Sequence, residues 1–311
     1  MRPDHALNSL PLPALFERLA ASGLMDRLIA LAVDEDLGTG EKSSDITTDC
    51  CVPPEARARA SLVARAPGVI AGLAVLPRLL QAMTTSVRAE VRVQDGDPAQ
   101  ANQTIATLAG PLDEILTLER TLLNIVGRLS GIATITRRYA NAVAHTRAKV
   151  CDTRKTTPGM RVLEKYAVRC GGGVCHRIGL FDAVLIKDNH LAGVQNERLA
   201  GVVFEMLNGV SSLRPTPSFV EVEAANLAQM RELCKVVGID VILLDNFSVP
   251  QLAEAVQYRN ELGLRGKLEL EASGGVTLQT VRAIAETGVE RISVGAITHS
   301  ATAVDLSLER L

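Results

Sequence analysis

Tryptophan is absent from this 311-residue chain, and aromatic residues make up only 3% of it. Proteins that grip single-stranded nucleic acid rely on aromatic stacking platforms, so that class is disfavoured. Neither sign of charge dominates, since 33 basic residues face 35 acidic ones for a net charge of −2. There is no general electrostatic pull toward nucleic acid, and a local basic cluster in such a chain points to a small anion instead. No apolar run approaches the roughly 18 uncharged residues that a membrane span requires. The N-terminal stretch has no apolar core of the signal-peptide kind, and a cytoplasmic protein is expected. The six cysteines include no Cys-x-x-Cys, and Cys170 with Cys175-His176 is the only grouping with a ligand-like look. Buried reduced thiols are expected rather than disulfides or a structural zinc.

What remains is ample for packed cores, with hydrophobic residues at 47%. At this length two domains are expected, or one barrel with a sizeable appendage. Apolar residues recur at helical spacing from Leu15 to Val33, ahead of Asp34-Glu35-Asp36-Leu37-Gly38. Then the period changes to two: Ala60-Ser61-Leu62-Val63-Ala64 and Val87 to Val93 alternate as half-exposed strands, with Pro67-Gly68 and Asp95-Gly96-Asp97 as turns. Leu112 to Ala144 is helical throughout, and Gly127 and Gly131 mark a bend or a close helix crossing. A mixed α+β domain over residues 1–144 follows.

From Lys149 onward strand and helix alternate. Strand-like runs fall at 149–152, 183–187, 218–223, 240–244, 267–271 and 290–294, with helical segments such as 227–237, 249–262 and 278–287 between them. That order predicts parallel strands with right-handed crossovers. The units fall short of a full eight-stranded barrel, so a short or incompletely closed α/β barrel is expected over residues 145–298. The tail, 299–311, is expected as a helix packing back on the first domain.

The ends of the strand-like runs carry the chemistry. They finish in Thr153-Arg154-Lys155, Lys187-Asp188-Asn189-His190, Glu221-Val222-Glu223, Asp245-Asn246, Glu271-Ala272-Ser273-Gly274-Gly275 and Ser293-Val294-Gly295-Ala296. Random surface charge would scatter over both ends of the strands, whereas the carboxyl ends of parallel strands are where sites form. Any one of these residues taken singly is more often a solvated charge or a structural ion pair. The two glycine-bearing endings suit a phosphate, because glycine lets backbone N–H groups approach an anion closely.

These runs resemble a known family. Thr153-Arg154-Lys155-Thr156-Thr157-Pro158-Gly159, Lys165 to Gly173, His176-Arg177-Ile178-Gly179-Leu180, Leu185-Ile186-Lys187-Asp188-Asn189-His190 and Leu244-Asp245-Asn246 are similar to the motifs of quinolinate phosphoribosyltransferase, also called nicotinate-nucleotide pyrophosphorylase (carboxylating). The resemblance runs from about Leu24 to the end, through Leu118-Glu119-Arg120-Thr121-Leu122-Leu123-Asn124. It implies transfer of phosphoribose from phosphoribosyl pyrophosphate (PRPP) to quinolinate with decarboxylation, on the de novo route to NAD.

By the same resemblance, Arg154, His176, Arg177 and Lys187 would hold the quinolinate carboxylates and pyrophosphate. Arg120 would reach in from a partner subunit of a homodimer, within which higher oligomers are possible. Lys155 would serve the phosphate side. Glu223 and Asp245 would face the ribose hydroxyls and a magnesium ion on the pyrophosphate. The backbones of Ser273, Gly274 and Gly275 and of Val294, Gly295 and Ala296 would take the 5′-phosphate. Lys155, Lys187, Glu223 and Asp245 are the catalytic candidates, with Mg2+ and no organic cofactor.

Two departures from the family pattern stand out. Cys175 occupies a position that is commonly asparagine, and Glu41-Lys42-Ser43-Ser44 lengthens a loop. The competing functions are a lysine-dependent barrel aldolase with Lys187 as Schiff base, a molybdenum-operon paralogue with another substrate, and a non-enzymatic phosphate-binding carrier.

Overall fold

The computed structural model describes residues 6–40, 44–214 and 216–311, so Glu41, Lys42 and Ser43 of the lengthened loop lie outside the described residues. Five strands come first, β1 (Arg57–Ala64), β2 (Gly68–Val69), β3 (Arg88–Val91), β4 (Pro98–Ala99) and β5 (Gln103–Pro111), and lead into the helix Leu112–Val143. Then follow β6 (Lys149–Cys151), β7 (Val184–Ile186), β8 (Val220–Ala224), β9 (Val241–Asp245), β10 (Glu269–Ser273) and β11 (Arg291–Ser293), with β12 (Leu306–Arg310) last. Two compact units result, one built on Arg138–Lys155 and Gly173–Ile297, the other on Pro11–Arg137, Thr156–Gly172 and Thr298–Leu311. No described helix is long and apolar enough to cross a membrane.

The second of these units holds a four-stranded antiparallel sheet in the order β12-β1-β5-β3. Leu62 and Ala64 of β1, with Ile105 and Leu108 of β5, are fully buried and supply its core. The Asp95 turn is tied down through its carboxylate, which accepts the amides of Leu73 and Ala74 at 2.9 and 3.0 Å and the hydroxyl of Tyr166 at 2.9 Å.

Two expectations are corrected here. The first helix is broken: Leu12–Ala20 and Leu24–Leu37 flank Gly23, whose φ of 70° reverses the chain between them. The tail is a strand and not a helix, because Leu306-Ser307-Leu308 alternates and the open edge of β1 needs a partner. Antiparallel pairing from Ala60↔Arg310 to Ala64↔Leu306 supplies one.

The glycines of the long helix meet this tail rather than another helix. A Cβ at Gly131 would lie 2.8 Å from the carbonyl carbon of Thr302, and the Val304 amide donates to the Gly127 carbonyl at 3.0 Å. Arg128 fastens the same segment, donating to the carbonyls of Thr298 and Ala301 at 2.6 and 2.7 Å while its charge meets the buried Glu164 at 2.9 Å.

The other unit carries a six-stranded parallel sheet, β6-β11-β10-β9-β8-β7. Its edge strands β6 and β7 are not hydrogen-bonded to each other, so the barrel is not closed. Val222, Ile242, Leu244, Leu270 and Ile292 are buried on these strands, and the helices Leu227–Leu233, Val249–Glu261 and Val281–Glu286 alternate with them. Charge at the amino-terminal end of the sheet is neutralised internally. Arg259, 1% exposed, forks onto Glu290 at 2.9 and 3.1 Å and donates to the Leu268 carbonyl at 2.6 Å. Charge at the carboxyl end is left to a cavity.

Candidate active site

A cavity of about 550 Å³ opens at the carboxyl ends of the parallel strands. Parallel register delivers side chains there from successive strands: Ser273 of β10 pairs with Asp245 of β9, and Glu223 of β8 with Leu243 of β9. The lining includes Arg154, Lys155, His176, Arg177, Lys187, Glu223, Asp245, Ser273, Gly274 and Gly275, all expected from the sequence. It also includes Thr153, Asn246, Glu271 and Ser293, which the sequence places at the same strand ends without a role of their own, and Leu185 and Leu243. Arg120 lies on the long helix, in the other compact unit. Val294, Gly295 and Ala296 are not among the lining residues, and the Val294 amide already donates to the Cys151 carbonyl at 3.0 Å.

The cationic wall is built on β6 and β7 and the segment between them. After β6 the chain turns at Thr153, whose hydroxyl accepts the Lys155 amide at 2.9 Å, leaving Arg154 and Lys155 exposed at the rim. Asp152, fully buried, accepts the His176 amide at 2.8 Å and so holds the His176-Arg177 pair behind them. Cys175 is anchored through its backbone. Its amide donates to Asn8 Oδ1 at 2.8 Å, and its carbonyl accepts from Asn8 Nδ2 at 3.0 Å. Asn8 thus clamps both backbone polar groups of Cys175.

Arg177 is 7% exposed, and its Nη1 donates to the Ala183 carbonyl at 3.3 Å. Burial and the neighbouring Arg154 draw its pKa down, while Glu221 and Asp182 oppose them. Lys187 Nζ stands 3.8 Å from Glu223 Oε2. Burial pushes the Glu223 carboxyl above its ordinary value, the negative charges of Asp245 and Asp188 add to this, and Lys187 works against it. A hard divalent cation fits that unmet charge, since Glu223 and Asp245 offer oxygen donors on adjacent strands.

The raised Glu223 pKa carries a stability consequence. A carboxyl whose folded value exceeds the unfolded one destabilises the fold when ionised, fully so above the folded value and not at all well below the unfolded value of roughly 4.3. Glu223→Gln is therefore expected to raise Tm at neutral pH, with the gain fading as the pH falls toward about 4. Thermal unfolding over that range checks it, and a Tm gain that persists unchanged in acid would contradict it.

Beneath the cavity lies a buried charged cluster. Glu271, fully buried, receives Arg291 Nε at 2.6 Å and the Ser293 hydroxyl. Burial pushes its carboxyl up, but His176, Arg291 and Ser293 more than reverse this and hold it well below the usual range. His176 Nε2 approaches Glu221 Oε2 at 2.9 Å and Glu271 Oε1 at 3.4 Å. Burial lowers the imidazole pKa, and the two carboxylates outweigh it, lifting it to about 9. Against full protonation stands the Arg177 amide, which donates into Nδ1 at 2.8 Å and needs a lone pair there. The ring is thus oriented with Nδ1 toward the Arg177 backbone and the Nε2 proton toward the two carboxylates.

Among the described residues, His176, Glu221 and Glu271 alone bring three metal-competent side chains within 4.8 Å of one another. Arg291 already supplies positive charge to that group, which contains no cysteine, and all six cysteines are free thiols.

The glycine-bearing turn after β10 is open to close approach. Gly274 has φ +95°, and a Cβ there would lie 2.6 Å from Asn246 Cγ and 3.0 Å from the Asn246 amide nitrogen, so only glycine fits beside that side chain. The helix beyond starts at Val281 rather than at Leu278, and ahead of it the Thr277 hydroxyl joins a turn with Thr280.

Comparison with known proteins places this geometry. A family model described as quinolinate phosphoribosyl transferase, C-terminal domain, matches residues 132–309, and its N-terminal counterpart matches residues 45–130. The chain is 43% identical over 290 residues to the nicotinate-nucleotide pyrophosphorylase (carboxylating) of Mycobacterium leprae, covering 90% of this chain and 95% of that one. It is 38% identical over 299 residues to quinolinate phosphoribosyltransferase (decarboxylating) 1b of Nicotiana tabacum, covering 91% and 81%. The solved nicotinate-nucleotide pyrophosphorylase of Francisella tularensis superposes with a TM-score of 0.82 at 35% identity, over 99% of this chain and 100% of that one. With both domain models matched and the cationic cavity at the carboxyl ends of its parallel strands, this chain belongs to the quinolinate phosphoribosyl transferase family.

Proposed function

We propose that the protein transfers phosphoribose from PRPP to the ring nitrogen of quinolinate, releasing pyrophosphate and carbon dioxide and giving nicotinate mononucleotide. The observation that carries this is a single cavity in which Arg154, Lys155, Arg177 and Lys187 face Glu223 and Asp245. Such a mixture suits a diacid together with a polyphosphorylated sugar. Guanidinium forks match the planar carboxylates, and the lysines act as point charges. Neutralising the diacid lets its ring nitrogen approach the anomeric carbon, and holding both substrates at that distance supplies most of the acceleration.

Glu223 and Asp245 line the same cavity, with Lys187 Nζ 3.8 Å from Glu223. They favour the positive charge that develops at the sugar carbon as pyrophosphate departs. Magnesium, held by these two carboxylates with PRPP, would neutralise charge on the leaving pyrophosphate. Once ribosylated, the cationic ring nitrogen stabilises the electron pair left on C2 as carbon dioxide departs, and C2 then takes up a proton from solvent, so no covalent enzyme intermediate is needed. The backbone at Ser273, Gly274 and Gly275 is suited to the 5′-phosphate. A Schiff-base role for Lys187 fits poorly, because its side chain is 47% exposed and beside a carboxylate, whereas a nucleophilic lysine needs desolvation.

Incubation with quinolinate, PRPP and magnesium, with nicotinate as the control substrate, tests the assignment. Nicotinate mononucleotide and pyrophosphate should form with quinolinate and not with nicotinate; the reverse preference would defeat the proposal. A homodimer in which Arg120 completes the partner's site accords with Arg120 lying outside the compact unit that forms the cavity. Arg120→Ala and Lys187→Ala, each inactive alone, are then expected to recover activity when mixed, up to about a quarter of the wild-type level. No recovery after subunit exchange would rule out the shared site.

A further inference from the structure

We propose that Glu221 is a positioning residue for the pyridine diacid, acting through His176 to set the Arg177 guanidinium that meets the substrate's carboxylates. The inference rests on the substrate assignment above and goes beyond it. Glu221 sits on β8, fully buried, with its Oε2 2.9 Å from His176 Nε2 and, among the described residues, no other ion pair. A buried carboxylate in that condition is costly, and packing alone would be served by an uncharged side chain of the same size. Its neighbour Glu271 differs, being satisfied by Arg291 and Ser293. The charge of Glu221 instead falls on His176 beside it and reaches Arg177 beyond.

The path from Glu221 to the cavity is short. Its Oε2 lies 2.9 Å from His176 Nε2, and on the other side of the ring Nδ1 accepts the Arg177 amide at 2.8 Å. With both nitrogens engaged inside the protein, the ring is a strut and not a ligand for substrate. Phe219 braces it edge-on at 5.4 Å between ring centroids. Glu221 also offsets the repulsion between Arg177 and Arg154, which together with burial works against the guanidinium's charge. Preorganising two like cations in a half-buried wall needs a fixed counter-charge behind them.

A double-mutant cycle on quinolinate affinity separates positioning from mere packing. Isothermal titration with quinolinate is made on the wild type, Glu221→Gln, Arg177→Lys and the double variant. Glu221→Gln is expected to weaken quinolinate binding tenfold or more, to leave PRPP binding within twofold, and to raise KM for quinolinate by a larger factor than it lowers kcat. In the Arg177→Lys background the same change is expected to matter less than threefold. An equal loss in both backgrounds, or no loss in either, overturns the proposal.

Should Glu221→Gln not fold, His176→Asn takes its place. Its amide oxygen can still accept the Arg177 N–H but cannot reach the carboxylates, so it is expected to show the same tenfold loss, and an unchanged Kd overturns the proposal. Absence of quinolinate binding by the wild type would defeat the substrate assignment and this inference with it. Wild-type binding that none of the variants disturbs would defeat this inference alone.

Discussion

Arg177→Ala is expected to weaken quinolinate binding by about 2 to 5 kcal/mol, the usual loss when one partner of a desolvated charge pair is removed. At 1.4 kcal/mol per factor of ten this is roughly 30-fold to several thousandfold in Kd. The size follows from burial: the arginine is 7% exposed, so its attraction for a carboxylate is poorly screened by water. Its anchor on the Ala183 carbonyl also fixes the guanidinium before ligand arrives, so little ordering remains to be done on binding. Lys187→Ala should act in the same direction but less strongly, because its side chain is 47% exposed. Titration calorimetry on folded variants gives the answer. An Arg177→Ala affinity within threefold of the wild type would remove this residue from the carboxylate-binding set.

Arg291→Met is expected to destabilise the fold by about 3 to 5 kcal/mol, because it leaves the fully buried Glu271 without its cation. The guanidinium also lies over the Phe219 ring at 5.1 Å, a contact that methionine's thioether replaces only in part. For a chain of this size the loss corresponds to a fall in Tm of roughly 6 to 20 °C. Replacing the pair as a whole, Arg291→Met with Glu271→Leu, should recover most of that fall, since an apolar pair of similar volume is often as stable as a buried ionic one. Thermal denaturation of the single and double variants decides it. If the single variant melts within 2 °C of the wild type, the ion pair contributes little to stability.

The parallel strands were legible because each is a short β-branched run between helical segments, and the polar residues at their ends were legible because they break an otherwise apolar pattern. Arg154, Arg177, Lys187, Glu223 and Asp245 converge on one cavity for that reason. Glu221, Glu271 and Ser293 were visible as letters but not as a cluster, since a charged residue inside a strand has the same spelling whether it faces water or a buried arginine twenty residues away. The tail misled for another reason. Thirteen residues are too few for periodicity to separate helix from strand, and the deciding factor was the unpaired edge of β1, some 245 positions earlier. Gly127 and Gly131 announced a close approach correctly in kind, but nothing local in the sequence told that an extended segment and not a helix would lie against them.

The pairing of β12 with β1 has a consequence for biosynthesis. While a ribosome is still translating the barrel, the outer side of β1 has no mate, so Leu62 and its neighbours sit on an unsealed sheet margin that other nascent chains could join. Residues 306–310 seal that margin only when they emerge, and so a stall or premature stop anywhere after β11 would release a molecule with its catalytic strands complete and its first sheet adhesive.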